Sequence, residues 1–379
     1  MSAEEANTSL LERIQRPEVS KETAKKIALV EEQFIRAEVE QLRHSTLLLR
    51  PLFEKRSQVI AEPDVRDTFW TRVLLNAPAE VEEHITMIDA TILASTLKNL
   101  TVERFEIDEK GQGEPRSFRL TFEFRTGDEN PYFENEKLVK EFYWRKQVFT
   151  TTKGHKRTWD GLVSEPVRIN WKKDQDPTKG LLDAACDLAE AEKKGGDRKK
   201  LPEFAKVVEK REEIEAAEGH EEDEDELPED GFGGMSFFAF FGYRGSDVTA
   251  EHSQKATKED NERFEKLLKG ESVDDEDEDD DEDDDVEDDF DDIEVFPGGD
   301  ELAIAIAEDL WPNALKYYGE CYPHCIANSK LTFQSRTNPS RKSTSTTANS
   351  TSRWTRRKRK KRRTTVLARR PRSKGVAMS

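Results

Sequence analysis

The chain has 379 residues, 81 Asp and Glu against 61 Lys and Arg, and a net charge of −20. That total averages two opposed parts: residues 319–379 carry 17 bases and one acid, so the first 318 residues hold −36. Three cysteines, Cys186, Cys321 and Cys325, exclude a disulfide scaffold and suit a reducing compartment, and no window of about eighteen apolar residues predicts a membrane span. The first twenty residues lack the apolar stretch of a secretory signal. The expectation is a soluble intracellular protein.

Residues 1–19 are polar and read as a disordered N-terminus. From Ser20, a suitable N-cap, residues 20–61 read as one long helix with no glycine and a single proline, Pro51, where a kink is expected. Ile35, Val39, Leu42, Thr46, Leu49 and Phe53 recur at 4-3-4-3-4 spacing, a heptad seam, and Val30, Phe34, Leu48 and Leu52 widen the stripe. A rod of about 60 Å cannot bury such a stripe inside a small domain, which favours pairing with a second copy over an ordinary core helix.

Short helices are expected at Asp67–Asn76 and Val81–Leu93. Then the period changes to two. Phe105 and Ile107 alternate with charges, and Phe118, Leu120, Phe122 and Phe124 alternate with polar residues. Gly111-Gln112-Gly113 reads as a hairpin loop between these two strands. Further strands are expected in Leu138–Phe149 and Val167–Trp171, giving a four-stranded antiparallel meander. Residues 173–231 are charged, partly helical at Leu181–Lys194 and Glu203–Ala217, and read as a peripheral insertion. Phe237, Phe238, Phe240 and Phe241 are expected in the core, and Asp300–Leu310 reads as a last helix. The fold class is therefore α+β, with one α+β domain spanning 62–318.

Two acidic runs stand apart. Glu221–Glu226 is wholly acidic, and Asp274–Asp292 holds seventeen carboxylates in nineteen residues within an acidic loop at 271–292. No folded core absorbs that charge density. Such runs suit a large cationic partner, the alternative being a solubilising segment.

Landmarks in one order carry a resemblance. They are Arg50-Pro51-Leu52-Phe53-Glu54-Lys55-Arg56-Ser57; Phe69-Trp70; Asn130-Pro131-Tyr132-Phe133-Glu134-Asn135; Lys140-Glu141-Phe142; Ile169-Asn170-Trp171-Lys172; Ser236-Phe237-Phe238; and Asp309-Leu310-Trp311-Pro312-Asn313-Ala314-Leu315-Lys316-Tyr317-Tyr318. Together they resemble the nucleosome assembly protein family, in its SET/template-activating-factor branch. The resemblance implies a homodimer with paired long helices and an α+β earmuff at each end; the expected compartment is the nucleus, with shuttling to the cytoplasm left open. It implies a histone chaperone that binds core histones through acidic surfaces and promotes nucleosome assembly without ATP. The branch also raises an alternative: an acidic regulator of a phosphatase or a histone acetyltransferase, with chromatin or histone-modifying enzymes as partners.

On this reading the dimer interface is Ile35, Val39, Leu42, Thr46, Leu49 and Phe53. Histone contacts are expected at Glu129, Glu134, Glu136, Glu308 and Asp309 in the folded domain and at Asp274, Asp275, Glu276 and Asp277 in the acidic loop. No membrane, metal or cofactor is expected, and no enzyme. The six histidines are scattered, Cys321, His324 and Cys325 lack further ligands for zinc, and the glycine pairs lack the context of a phosphate loop.

The chain departs from the family pattern twice. The large acidic run precedes the Trp311-Pro312-Asn313 element rather than following it. After Tyr318 comes a Ser/Thr-rich stretch and then eight consecutive bases, Arg356–Arg363. If translated, those bases supply a nuclear-import signal or a nucleic-acid-binding arm. An acidic tail read out of frame also generates Lys and Arg codons, so the basic tail at 319–379 is expected to arise from a retained intron and frameshift. Sequencing the mature transcript across codon 319 tests this, and an uninterrupted message in the present frame refutes it.

Overall fold

The computed structural model describes residues 19–150, 156–195, 197–218, 234–270 and 294–320. Both acidic runs, Cys321, His324, Cys325 and the basic stretch lie outside them. Helix α1, Lys21–Ile60, is forty residues long and continues through Pro51. It opens on Ser20, whose hydroxyl accepts from the Thr23 N–H at 3.3 Å. Three short helices follow: α2 (Phe69–Leu75), α3 (Ala79–Glu82) and α4 (Met87–Thr96). Helix α4 runs straight into strand β1, Leu97–Glu103.

Strands β2 (Phe118–Phe124), β3 (Lys137–Thr150) and β4 (Lys156–Ser164) complete an antiparallel meander in the order β1-β2-β3-β4. Phe122 sits opposite Leu100 on one side and Leu138 on the other, and Phe142 opposite Ser164. The period-two reading of β2 holds: Phe118, Leu120, Phe122 and Phe124 are all buried.

Two strand positions are corrected. The first strand is Leu97–Glu103, not the Phe105–Ile107 stretch. Residues 104–117 instead form the connection to β2, because Asp108 gathers a tight turn by accepting from the Lys110 and Gln112 amides, both at 2.8 Å. Gly113 closes that turn at φ +119°, where a Cβ would lie 1.8 Å from the Glu106 carbonyl oxygen. The fourth strand is Lys156–Ser164, not Val167–Trp171. Hairpin pairing with β3 consumes the sheet edge, and the later segment keeps a single bridge, Trp171 to Phe133. Gly161 and the charges of β4 hid its alternation.

Helices α5 (Leu181–Lys193) and α6 (Pro202–Glu218) fall in the segment read as a peripheral insertion. That reading is corrected for both helices: Val207 and Ile214 of α6 are buried in the main core, as are Leu181, Leu182, Ala185, Cys186 and Leu188 of α5. The apolar residues of α5 repeat at helical spacing beneath a charged outer face, so composition averaged over the segment concealed the buried side. Beyond them lie the short 3₁₀ helix Phe237–Gly242, α7 (Ala250–Leu268), α8 (Gly299–Ile304), a π-turn at Ala305–Leu310 and α9 (Ala314–Glu320).

The 3₁₀ helix is the centre of the core. Phe237, Phe238, Phe240 and Phe241 are fully or almost fully buried and make edge and stacked contacts with Phe122, Phe133, Phe142, Trp171 and Phe296. Buried charges hold its two ends. At the start, Asp89 accepts from the Phe237 N–H at 2.8 Å, the Ser236 hydroxyl at 2.5 Å and the Thr86 hydroxyl at 2.7 Å. At the far end the Lys140 ammonium donates to the carbonyls of Phe241 (3.1 Å), Tyr243 (2.6 Å) and Glu165 (2.8 Å). All three of its protons are thereby used.

Burial pulls the pKa of Lys140 from 10.5 down to about 7, with the Glu294 carboxylate acting in the opposite sense. Below pH 7 the folded and unfolded chains both hold this proton. Between pH 7 and 10.5 the unfolded chain keeps a proton that the native one releases, so native stability rises by roughly 1.4 kcal/mol per pH unit from this group. Unfolding free energies of the wild type and Lys140→Met at pH 7, 8 and 9.5 should therefore diverge in favour of the wild type, by up to about 3 kcal/mol over that range. A difference that stays flat with pH refutes the assignment.

Candidate functional site

The loop joining β2 to β3 is rigid for reasons visible in its residues. Asn130 is fully buried. Its side-chain oxygen accepts from the Tyr132 and Phe133 amides at 3.0 and 3.2 Å, and its amide donates to the Arg125 carbonyl at 3.1 Å. Lys172 reaches in and donates to the carbonyls of Asn130 (2.6 Å) and Gly127 (3.2 Å). Phe133 is driven into the core, edge-on to Phe124, Trp171 and Phe238 at centroid separations of 4.9, 5.3 and 6.0 Å.

With Asn130 and Phe133 directed inward, the neighbouring acids stand outside. Asp128, Glu129, Glu134 and Glu136 are exposed. Glu129 keeps 72 % of its side-chain exposure and meets a cation only at 3.8 Å, from Arg125, which also lies 3.6 Å from Asp67. The acidic face continues across Asn135. Its side-chain oxygen accepts from the Asn170 amide at 2.7 Å, and its amide donates to the Arg168 carbonyl at 3.5 Å.

The Arg168 guanidinium is ringed by Asp183, Asp187 and Glu190 of α5, at 3.0, 2.6 and 3.3 Å. Hence seven carboxylates share this region with Arg125, Arg168 and Lys172, and with Lys137 beside Glu136. The contribution of α5 is absent from the sequence reading. Its acids at i, i+4 and i+7 were the available signal, but nothing in the chain order placed them beside Glu134.

The other expected contacts fall elsewhere. Glu308 and Asp309 stand on the π-turn. Glu308 pairs with Arg104 at 3.0 Å, and Asp309 accepts from Asn313 and the Tyr317 hydroxyl, both at 2.8 Å. Asp309 thus acts within the fold, holding α9 to the turn. Asp274, Asp275, Glu276 and Asp277 lie outside the described residues.

Along α1, one face meets the domain. Arg43 donates to the Gly113 carbonyl at 3.1 and 3.2 Å, and Arg50 to that of Ile107 at 3.4 Å. Buried Arg56 donates to the Trp311 carbonyl at 2.5 Å and lies over the rings of Phe53 and Trp311. Phe53 contacts Trp311 at 4.3 Å, so it is engaged within its own chain. Val39, Leu42 and Thr46 are half-buried, while Ile35 and Leu49 are 50 and 39 % exposed. Further exposed apolar side chains lie on a neighbouring arc: Ile27, Val30, Phe34 (66 %), Leu48, Leu52 and Val59. At about 100° per residue they span roughly 60° of the helix.

Among the described residues no group of His, Cys, Asp and Glu has the arrangement of a metal site, and no helix is long and apolar enough to cross a membrane. Burial pushes the Cys186 thiol up to about 11, the opposite of an activated nucleophile.

The chain is similar to known proteins. The family described as Nucleosome assembly protein (NAP) matches residues 67–320. A Schizosaccharomyces pombe protein named as a nucleosome assembly protein is 32 % identical over 148 residues, 38 % of this chain and 56 % of its own length. Protein SET of Drosophila melanogaster is 31 % identical over 135 residues, 36 % of this chain and 43 % of its own. The chain thus spans about half the length of the curated relatives it matches. Among solved structures, Ccp1 is 25 % identical with a TM-score of 0.43, covering 79 % of this chain and 95 % of that one. The Vps75 histone chaperone is 18 % identical with a TM-score of 0.40, covering 79 and 98 %. With the family match extending over most of the folded residues, this chain belongs to the nucleosome assembly protein family.

Proposed function

We propose that the protein is a nuclear histone chaperone that binds core histones and promotes their assembly into nucleosomes without ATP. The observation that carries this reading is the acidic face built on the Asn130–Asn135 loop and extended by α5. Its carboxylates are exposed, outnumber the arginines Arg125 and Arg168 that pair with four of them, and are set on backbone that buried side chains hold in place. A cationic partner therefore meets a preformed array, with little ordering to do on binding. The runs at 221–226 and 274–292 add long-range attraction, which raises capture rate and weakens with salt over a screening length of about 8 Å.

The mechanism is competitive shielding. Free histones bind DNA non-specifically through many Lys and Arg contacts to phosphate, and that binding is steeply salt-dependent. A carboxylate surface occupies the same cations, prevents aggregation, and gives the histone up when correctly placed DNA makes more contacts. No covalent step is required, which supports a role other than that of an enzyme.

Function as a homodimer through α1 fits the same reading. The arc of Ile27, Val30, Phe34, Leu48, Leu52 and Val59 is apolar and uncovered by the chain's own domain. Burying each such side chain contributes roughly 2 kcal/mol, enough in sum to hold two rods together.

Two outcomes test these statements. The triple reversal Glu129→Lys, Glu134→Lys, Glu136→Lys should lower affinity for purified core histones by at least about tenfold at physiological salt. Deleting Asp274–Asp292 should mainly slow capture. Equal binding by the reversal variant removes the folded face from the mechanism. Separately, Phe34→Glu with Leu48→Glu should convert a dimer to a monomer in analytical ultracentrifugation while leaving the sheet intact by circular dichroism. A dimer that survives both substitutions places the interface on another face of α1.

A further inference from the structure

We propose that Arg168 is a built-in competitor for the acidic face: its guanidinium occupies the Asp183, Asp187 and Glu190 carboxylates of α5 in the free protein and gives them up to an arginine of the bound histone. The inference rests on the function proposed above and names the side chain that regulates that site. Arg168 donates to Asp183 at 3.0 Å through one terminal nitrogen, and to Asp187 at 2.6 Å and Glu190 at 3.3 Å through the other. The three acids stand at i, i+4 and i+7 on α5, where like charges repel along one face of a helix. Such an array calls for a cation between its members, and the chain supplies its own.

The contact is of a kind that exchanges. Arg168 keeps 36 % of its side-chain exposure, and the three carboxylates keep half or more of theirs. Exposed pairs are individually weak, so another cation replaces them at small cost. The backbone beneath does not depend on them. The Val167 amide donates to the Phe241 carbonyl at 2.9 Å, Ile169 is buried, the Asn170 amide donates to Asn135, and the Trp171 ring packs on Phe133 and Phe238. On the other side, Leu181, Leu182, Cys186 and Leu188 anchor α5 in the core. Both walls therefore stay in place when the Arg168 side chain swings away.

The geometry also selects the replacement. A guanidinium divides its donors between the nitrogens of a planar fork and serves several carboxylates at once, whereas a lysine ammonium is a single point charge. An incoming arginine makes the pairs that Arg168 gives up, so the exchange leaves the number of ion pairs on α5 nearly unchanged. Affinity is thereby held below what the carboxylates alone would give, and the arginine is released readily when DNA phosphates compete for it. Lys193, on the same helix, pairs instead with Glu165 at 3.1 Å.

The test is a cycle of variants of the full chain: wild type, Arg168→Met, the triple variant Asp183→Asn, Asp187→Asn, Glu190→Gln, and all four substitutions together. Lys193→Met is the control, removing one charge from the same helix. Dissociation constants for purified core histones are measured at physiological salt, and near-ultraviolet circular dichroism checks that the packing is unchanged. Arg168→Met should tighten binding about fivefold and Lys193→Met less than about twofold. Where the three acids are already neutral, Arg168→Met should have no effect. No tightening, an equal gain from Lys193→Met, or a gain that persists without the acids overturns the proposal. Should the wild type fail to bind core histones, the function proposed above falls, and the same cycle against nona-arginine and nona-lysine peptides judges Arg168 by itself. There, a gain confined to the arginine peptide and dependent on the three acids supports the competitor, and equal gains for both peptides, or none, overturn it.

Discussion

The fold depends on two opposite charges buried at the ends of one aromatic turn. The 3₁₀ helix Phe237–Gly242 is too short to satisfy its own terminal amides and carbonyls, yet its phenylalanines belong at the centre of the core. Asp89 supplies an anion to the amide end, and Lys140 supplies a cation to the carbonyl end. Each charge sits where the backbone dipole favours it. Each also ties a different element to the turn: Asp89 brings α4 and its capping Thr86, and Lys140 brings β3 and the segment that follows β4 at Glu165. Losing either partner would leave buried groups unpaired, which costs more than the bond itself contributes.

That anchored turn positions the acidic face. Phe238 meets Phe133 and Trp171, so the turn fixes both the Asn130–Asn135 loop and the segment that carries Arg168. Cys186 and Leu188 of α5 join the same core, which aims Asp183, Asp187 and Glu190 outward beside the loop. Glu294 is held by the same body. Its carboxylate accepts from the Gly245 amide at 2.8 Å, its carbonyl accepts from Arg211 at 3.0 Å, and burial holds its pKa above the usual carboxylate range.

The rod and the body meet through cations rather than through apolar packing alone. Arg36, Arg43, Arg50 and Arg56 all leave α1 toward the domain, and three of them end on backbone carbonyls. Carbonyl acceptors are present whatever side chain occupies the position, so this joint depends little on matched pairs. Only Arg56 sits between aromatic rings, where Phe53 and Trp311 exclude water and burial lowers its pKa to about 10. This joint turns the arc through Phe34 and Leu48 away from the domain.

Local pattern alone determined a good part of the molecule. The absence of glycine and the helical spacing from Ser20 onward fixed α1. Strict alternation fixed β2, and four phenylalanines in five positions could only be core. These signals are local because a single element's buried face repeats with its own period. Tertiary structure decided what local pattern cannot carry. Ile107 is buried in a connection because Asp108 folds the chain there, and β4 pairs along β3 although Gly161 breaks its alternation. Helix α5 is core despite its charged composition, since only one of its faces is asked to be apolar. Among the acids chosen from sequence, Glu129, Glu134 and Glu136 lie together because Asn130 and Phe133 turn inward between them. Asp309, equally acidic in sequence, is taken up by Asn313 and Tyr317. A carboxylate's charge is written in the sequence, but whether it faces water or a neighbouring hydroxyl depends on residues that only folding brings within reach.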